Sequence, residues 1–105
     1  MKVKIGDYMF WGPYVFAHEL ESKPGVFIIL DKDFEPKHWN ILDVDCAVNV
    51  RASIKLHKRS ACWQSHCSQL IAYAAYYCDD QERKRVYGVI REQYCPPCNG
   101  FAITK

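Results

Sequence analysis

The chain has 105 residues, half of them hydrophobic, and a formal net charge of +2. This length fits a single domain, because one hydrophobic core of ordinary size needs roughly 100–150 residues. It excludes a TIM barrel or a complete dinucleotide-binding fold, and the 14% aromatic content excludes a disordered chain. No stretch approaches the roughly 18–20 apolar residues of a membrane span, and the first residues lack a signal peptide's apolar segment. We therefore expect a cytoplasmic protein without a membrane partner.

The charge is unevenly distributed along the chain. Residues 1–45 carry a net charge of −3, and residues 46–105 carry a net charge of +5. A basic half in a small domain is typical of proteins that bind phosphate groups. A solvated helix face has the same composition, so both interpretations stay open at this point.

The N-terminal half predicts two strands. Residues 1–24 are rich in aromatic and turn-forming residues, and we predict that they wrap over the core. The turn at Pro24-Gly25 precedes a continuous apolar run over residues 26–30, which predicts a buried strand. A second strand is predicted over residues 39–44. The two strands would form a hairpin with an acidic connection.

The C-terminal half predicts helices around a further strand. Helical spacing indicates a helix from residue 48 to about 58, and residues 60–67 predict a short helix or turn. The aromatic and apolar residues 70–78 predict a buried strand. Asp79 or Asp80 is a good N-cap for a helix that runs to about Tyr94. The order predicts an α/β sandwich in which helices flank a three-stranded, mainly antiparallel sheet, within one domain (1–105) whose core spans 25–100.

The six cysteines have two interpretations. They are Cys46, Cys62, Cys67, Cys78, Cys95 and Cys98. In a cytoplasmic protein we expect reduced, buried thiols. The alternative is a zinc site with the candidate ligands Cys62, Cys67 or His66, Cys95 and Cys98. Only the last pair has Cys-x-x-Cys spacing, and the two prolines inside it lack backbone donors. We therefore predict structural thiols and assign no metal ligand.

Several short motifs resemble those of the GIY-YIG nuclease superfamily. Pro24-Gly25-Val26-Phe27 resembles the Gly-Ile-Tyr motif of the first strand, and Asp43-Val44-Asp45 falls where Tyr-Ile-Gly closes the second. Asn49-Val50-Arg51 is similar to the Asn-Leu-Arg that opens the first helix, and His57 falls on a histidine at that helix's end. Tyr94-Cys95-Pro96-Pro97-Cys98-Asn99 resembles the Tyr-x-Pro-x-x-Asn ending of the last helix. The chain thus resembles a small, bacterial, stand-alone member with degenerate motifs.

This resemblance implies a fold and a set of catalytic positions. Members cleave DNA with one divalent metal ion: a tyrosine hydroxyl helps to activate water, an arginine clamps the phosphate and a glutamate holds the metal. The corresponding positions here are Phe27, Asp43, Ser53, His57 and Tyr87. Phe27 lacks the hydroxyl, Ser53 replaces the arginine and Tyr87 replaces the glutamate. The resemblance therefore implies impaired catalysis, with no cofactor expected and Mg²⁺ required only if the domain is active.

Neighbouring residues do not restore the missing groups in this interpretation. Arg51 and Lys55 lie two residues on either side of Ser53, so on a helix they point about 200° away from it. The helical neighbours of Tyr87 are Arg83 and Arg91, which would repel a metal ion. The substitutions at Ser53 and Tyr87 therefore favour a chain without enzymatic activity over a metal-dependent endonuclease, and the sequence leaves both interpretations open.

The predicted function is a nucleic-acid- or protein-binding module built on an endonuclease-like domain. The predicted nucleic-acid-binding residues are Arg51, Lys55, Lys58, Arg91 and Asn99. The expected partner is DNA, another nucleic acid or a protein. The alternative is a divergent metal-dependent nuclease whose ligands have moved to Asp43, Asp45 and His57, because two alternate residues of a strand project from one side.

Overall fold

The computed structural model describes residues 1–32 and 39–99. The predicted acidic hairpin connection and the last predicted core residue, 100, lie outside these ranges. The strands are β1 (Lys2–Ile5), β2 (Tyr8–Tyr14), β3 (Gly25–Lys32), β4 (Trp39–Ala47) and β5 (Ile71–Tyr77). The helices are α1 (Val50–Lys55), α2 (Ser60–His66) and α3 (Asp80–Tyr94), with a 3₁₀ turn at Ala17–Glu19. None of the described helices has the length and hydrophobicity needed to span a bilayer.

The five strands form one antiparallel sheet in the order β1-β2-β5-β3-β4. The α/β class is confirmed, but the predicted three strands are wrong because the sheet is larger. The N-terminal segment adds β1 and β2 to it. The prediction missed a period-2 pattern in this segment: Val3 and Ile5 are buried while the alternating Lys2 and Lys4 are exposed.

Helices cover both faces of the sheet and define two hydrophobic cores. On one face, Val86 and Ile90 of α3 pack in a cluster with Phe10, Val26 and Val44. On the other face, residues of α1 and α2 pack against β3; they are Val50, Ile54 and Trp63, with Phe27 and Ile29 beneath them. In the β3–β4 register Phe27 lies opposite Asp45 and Ile29 opposite Asp43. Both aspartates therefore belong to the face covered by α1 and α2.

The helices begin where the sequence supplies caps. The Asn49 side chain accepts a hydrogen bond from the Ala52 N–H at the start of α1, and Asp79 accepts one from the Glu82 N–H at the start of α3. α1 ends at Lys55, three residues before the predicted end. The chain then turns at Leu56, which brings the next residues toward β4. After α3, the Cys98 N–H donates to the Leu42 carbonyl at 2.9 Å, so the C-terminal segment lies along the edge strand β4.

Candidate functional site

A buried carboxylate lies at the centre of the face covered by α1 and α2. Asp43 is fully buried, and its Oδ2 accepts hydrogen bonds from Arg59 Nε at 2.9 Å and from Trp63 Nε1 at 2.6 Å. Its Oδ1 accepts from Arg59 Nη2 at 3.2 Å and from the Val44 N–H at 2.8 Å. A carboxylate has about four lone-pair positions. These four bonds therefore use the hydrogen-bonding capacity of Asp43.

The same guanidinium bridges to a second aspartate. Arg59 Nη2 donates to Asp45 Oδ2 at 3.2 Å, and the other Asp45 oxygen accepts from the Cys46 N–H at 2.8 Å. Burial alone would lower the pKa of Arg59, but hydrogen bonding to Asp43 and the charges of Asp43 and Asp45 outweigh burial and raise that pKa. Arg59 is thus a permanent cation forked between two carboxylates.

The hydrogen bonds of His57 fix its tautomer. The Arg59 backbone N–H donates to His57 Nδ1 at 3.1 Å, so Nδ1 is the unprotonated acceptor. Nε2 therefore carries the proton in the neutral ring, and it donates to Asp45 Oδ2 at 2.7 Å. The His57 side chain is 4% exposed and packs edge-on against Phe27, with ring centroids 5.8 Å apart. Both ring nitrogens are engaged within the protein, so the imidazole is a structural group in this arrangement.

The structure brings four of the five degenerate motif positions together. Asp43 and His57 belong to the ion-pair network, and Phe27 packs against His57. Ser53 lines a shallow cavity of about 430 Å³ together with Asp45, Ala52, Leu56, His57 and Lys58. Tyr87 comes from α3, on the other side of the sheet, and its hydroxyl accepts a hydrogen bond from Asn99 Nδ2 at 2.8 Å.

The predicted nucleic-acid-binding residues fall into two groups. Lys55 and Lys58 are exposed, and among the described residues neither has an ion-pair partner. The others make internal contacts: Arg51 Nε donates to the Leu20 carbonyl at 2.7 Å and Arg91 Nε to the Asn99 carbonyl at 3.3 Å. Asn99 is buried, and its amide also donates to the Val44 carbonyl at 2.8 Å. Asn99 therefore secures the C-terminal segment to β4.

Arg59 is the functional residue that sequence reasoning missed. The family motif led us to search for an arginine inside the first helix, at Ser53 and its neighbours. Arg59 lies instead in the turn between α1 and α2, and it reaches back to β4. Its position two residues after His57 was a usable signal, since His57 was already assigned to the site.

The residues present do not fit the Mg²⁺ ion that the family resemblance implies. Mg²⁺ requires free oxygen ligands in near-octahedral geometry. The four hydrogen bonds of Asp43 and the guanidinium of Arg59 occupy the place such an ion needs, and Tyr87 supplies no carboxylate. The alternative ligand set of Asp43, Asp45 and His57 is assembled in space, but its members bind one another and Arg59.

The cysteines differ from the sequence prediction. Cys62 and Cys98 form a disulfide, so the expectation of reduced thiols does not hold for this pair. Cys95 and Cys98 do not meet, because Cys95 ends α3 in a left-handed conformation with its thiol directed to the Glu92 carbonyl. Cys67 donates to Asp31 Oδ1 instead. Of the predicted zinc ligands, the structure groups Cys62, His66 and Cys98.

Comparisons with protein-family models, with curated proteins and with solved structures find no match to this chain. The GIY-YIG resemblance therefore stays an expectation from the sequence motifs.

Proposed function

We propose that the chain is a GIY-YIG-like domain that does not cleave phosphodiesters and that binds nucleic acid through a basic surface formed by Lys55, at the end of α1, and Lys58, in the turn that follows. The observation that carries this proposal is the forked contact of Arg59 with Asp43 and Asp45. The guanidinium nearest to the degenerate motif is neutralised within the protein. It cannot also clamp a phosphate without breaking those bonds.

The charge of the network opposes phosphodiester hydrolysis. Phosphoryl transfer needs preorganised cations that stabilise the charge developing on the phosphate. Here two carboxylates surround one guanidinium and a neutral imidazole, so the network carries a net negative charge. It would repel the phosphate that a nuclease must bind. The polar groups are therefore arranged to hold α1 and α2 on the sheet.

The surface around this network favours an anionic partner. Residues 46–78 contain no Asp or Glu, while they include Arg51, Lys55, Lys58 and Arg59. Lys55 and Lys58 are exposed, and Lys58 lines the shallow cavity. Three of the four basic residues of α3 behave differently: Arg83, Lys84 and Arg85 pair with Asp80 or Glu82. Asp45, which lines the cavity with Lys58, is paired with Arg59 and His57. Lysines without an ion-pair partner attract the phosphate backbone, largely without regard to base sequence.

The test is the salt dependence of duplex DNA binding, measured by fluorescence anisotropy. Each phosphate contact contributes about 0.9 to the slope of log K against log salt. The double variant Lys55→Ala/Lys58→Ala is expected to bind more weakly and to lower the magnitude of this slope by up to about 2. The matched control Lys84→Ala/Arg85→Ala removes the same charge from the opposite side of the sheet, and its slope should stay close to that of the wild type.

Two outcomes would contradict the proposal. Equal losses in the two double variants would show that net charge, rather than the surface formed by Lys55 and Lys58, determines binding. Absence of binding at low salt would exclude nucleic acid and leave a protein as the partner of this surface. The exposed Leu56, 85% accessible between the two lysines, would then be the first residue to substitute.

A further inference from the structure

Two sulfur atoms and one imidazole nitrogen converge between α2 and the C-terminal segment. The Sγ atoms of Cys62 and Cys98 and His66 Nδ1 all lie within 4.8 Å of one another. His66 Nδ1 is 3.5 Å from Cys62 Sγ and 3.9 Å from Cys98 Sγ. The group is separate from the Asp43–Arg59 network and does not depend on the proposed function.

These sulfur–nitrogen distances match those of a tetrahedral zinc site. With Zn–S near 2.3 Å and Zn–N near 2.1 Å, two ligands at a tetrahedral angle are separated by roughly 3.6 Å. The two distances in the structure bracket this value. Thiolate and imidazole ligands are also the donors that zinc prefers. Once the disulfide is reduced, the two sulfurs are no longer bonded and can move apart, and this movement would complete the arrangement.

The fold holds these three residues in place. Cys62 and His66 are four residues apart on α2, so their side chains share one face of the helix. Cys98 is buried and fixed by the bond from its N–H to the Leu42 carbonyl. His66 is exposed, so a fourth coordination position would face solvent. In the disulfide form, His66 Nδ1 lies 3.1 Å from the Cys62 carbonyl and donates its proton there.

We propose that the reduced chain binds one zinc ion through Cys62, His66 and Cys98, and that formation of the Cys62–Cys98 disulfide abolishes this site. A dithiol reductant supplies two electrons and two protons, which convert the disulfide to two thiols while the dithiol becomes a disulfide. The ring proton of His66 moves from Nδ1 to the solvent-exposed Nε2 by exchange with water, and Zn²⁺ then displaces both thiol protons and takes the freed Nδ1 lone pair. The disulfide and the zinc site use the same sulfurs, so one state excludes the other.

The test compares the full chain in its reduced and disulfide forms. Each is mixed with zinc under anaerobic conditions, freed of unbound metal, and analysed for bound metal and free thiols. The reduced form is expected to retain about one zinc ion per chain and the disulfide form almost none. Cobalt provides a second readout, because a tetrahedral cobalt–thiolate site absorbs strongly in the visible range.

Substitutions distinguish zinc bound at this site from zinc bound by the other cysteine thiols. Loss of an outer-shell partner costs 10–100-fold in metal affinity, so His66→Ala, which removes a ligand, is expected to weaken zinc binding by at least about 100-fold. His66 is exposed, so this variant should fold like the wild type by circular dichroism. Cys62→Ser should lose the site, whereas Cys67→Ser and Cys95→Ser should retain it. Wild-type affinity in His66→Ala, loss of zinc in Cys95→Ser, or equal zinc content in the two redox forms would overturn the proposal.

Discussion

Arg59 Nε lies 2.9 Å from Asp43 Oδ2, and this contact joins the turn after α1 to a fully buried strand residue. The Arg59 side chain is 25% exposed and that of Asp43 is fully buried, so most of this ion pair lies beneath the surface. A second bond from Arg59 to Asp45 completes the fork. The guanidinium of Arg59 is therefore paired within the protein, with carboxylates from two positions of β4.

Asp43→Asn is expected to destabilise the protein more than Asp45→Asn. The amide keeps one acceptor oxygen and places an NH2 donor at the other position, so it loses at least one hydrogen bond from Arg59 and the negative charge that pairs with the guanidinium. Breaking a buried ion pair typically costs about 3–5 kcal/mol. Asp45 is 27% exposed, so solvent can replace part of what it loses. Urea denaturation followed by circular dichroism measures both changes. Equal, small losses in the two variants would show that the network contributes little to folding.

Replacing each of two glycines by alanine is expected to change the free energy of unfolding in opposite directions. A Cβ on Gly25 would lie 2.5 Å from the Tyr76 carbonyl oxygen and 3.0 Å from Tyr77 Cα, both backbone atoms of the neighbouring strand. Gly25→Ala should therefore destabilise the protein by about 1–3 kcal/mol. Gly88 in α3 has no atom within 4 Å of an added Cβ, so Gly88→Ala should stabilise the protein by about 0.5–1 kcal/mol through helix propensity.

The two variants share one chemical change and one measurement, so each is the control for the other. Chemical denaturation at a fixed pH gives both values. Stabilisation by Gly25→Ala would contradict the close approach of β3 and β5. It would also remove the physical reason for a glycine at the start of the first motif.

Asp31 is expected to make stability depend on pH in the acid range. Burial alone would raise the pKa of Asp31, but hydrogen bonds from the backbone N–H groups of Ser68 and Gln69, and from the side chains of Ser68 and Cys67, hold it below its ordinary value of 3.8. A lowered folded-state pKa stabilises the protein above the unfolded-state pKa, and this contribution is lost as the pH falls through the folded-state value.

Near neutral pH, the free energy of unfolding of the variant Asp31→Asn should therefore be about 1–3 kcal/mol lower than that of the wild type, because the amide cannot accept all of these hydrogen bonds. The difference between wild type and variant should narrow as the pH is lowered below about 4. Denaturation curves over a pH series measure this difference. A constant difference across the series would contradict the assignment.

The strands and helices of the core could be predicted because local patterns determine them. The apolar run around Ile28 and the cap at Asp79 each indicate one structure without tertiary information. The alternation in β1 was overlooked because aromatic and turn-forming residues dominate the composition of the first 24 residues. Its pairing with β2 also requires the sheet edge that β5 provides.

The candidate site was harder to predict because its contacts are long-range. Arg59 and Asp43 are 16 residues apart, and the turn that joins them has no periodicity. Cys62 and Cys98 are 36 residues apart, and spacing alone favoured the Cys95–Cys98 pair. The motif positions Phe27 and Asp43 lie on adjacent strands, but a motif search cannot find a charged residue that another part of the chain supplies.

The cation and carboxylates of this site bind one another, and on this observation we propose that the domain does not cut DNA. The direct measurement is a cleavage assay with Mg²⁺ or Mn²⁺ on supercoiled plasmid and on structured DNA, at a protein concentration at which binding occurs. We expect no product above that of a metal-free control. Reproducible nicking by the wild-type chain that is lost in Asp43→Ala or Asp45→Ala would contradict the account.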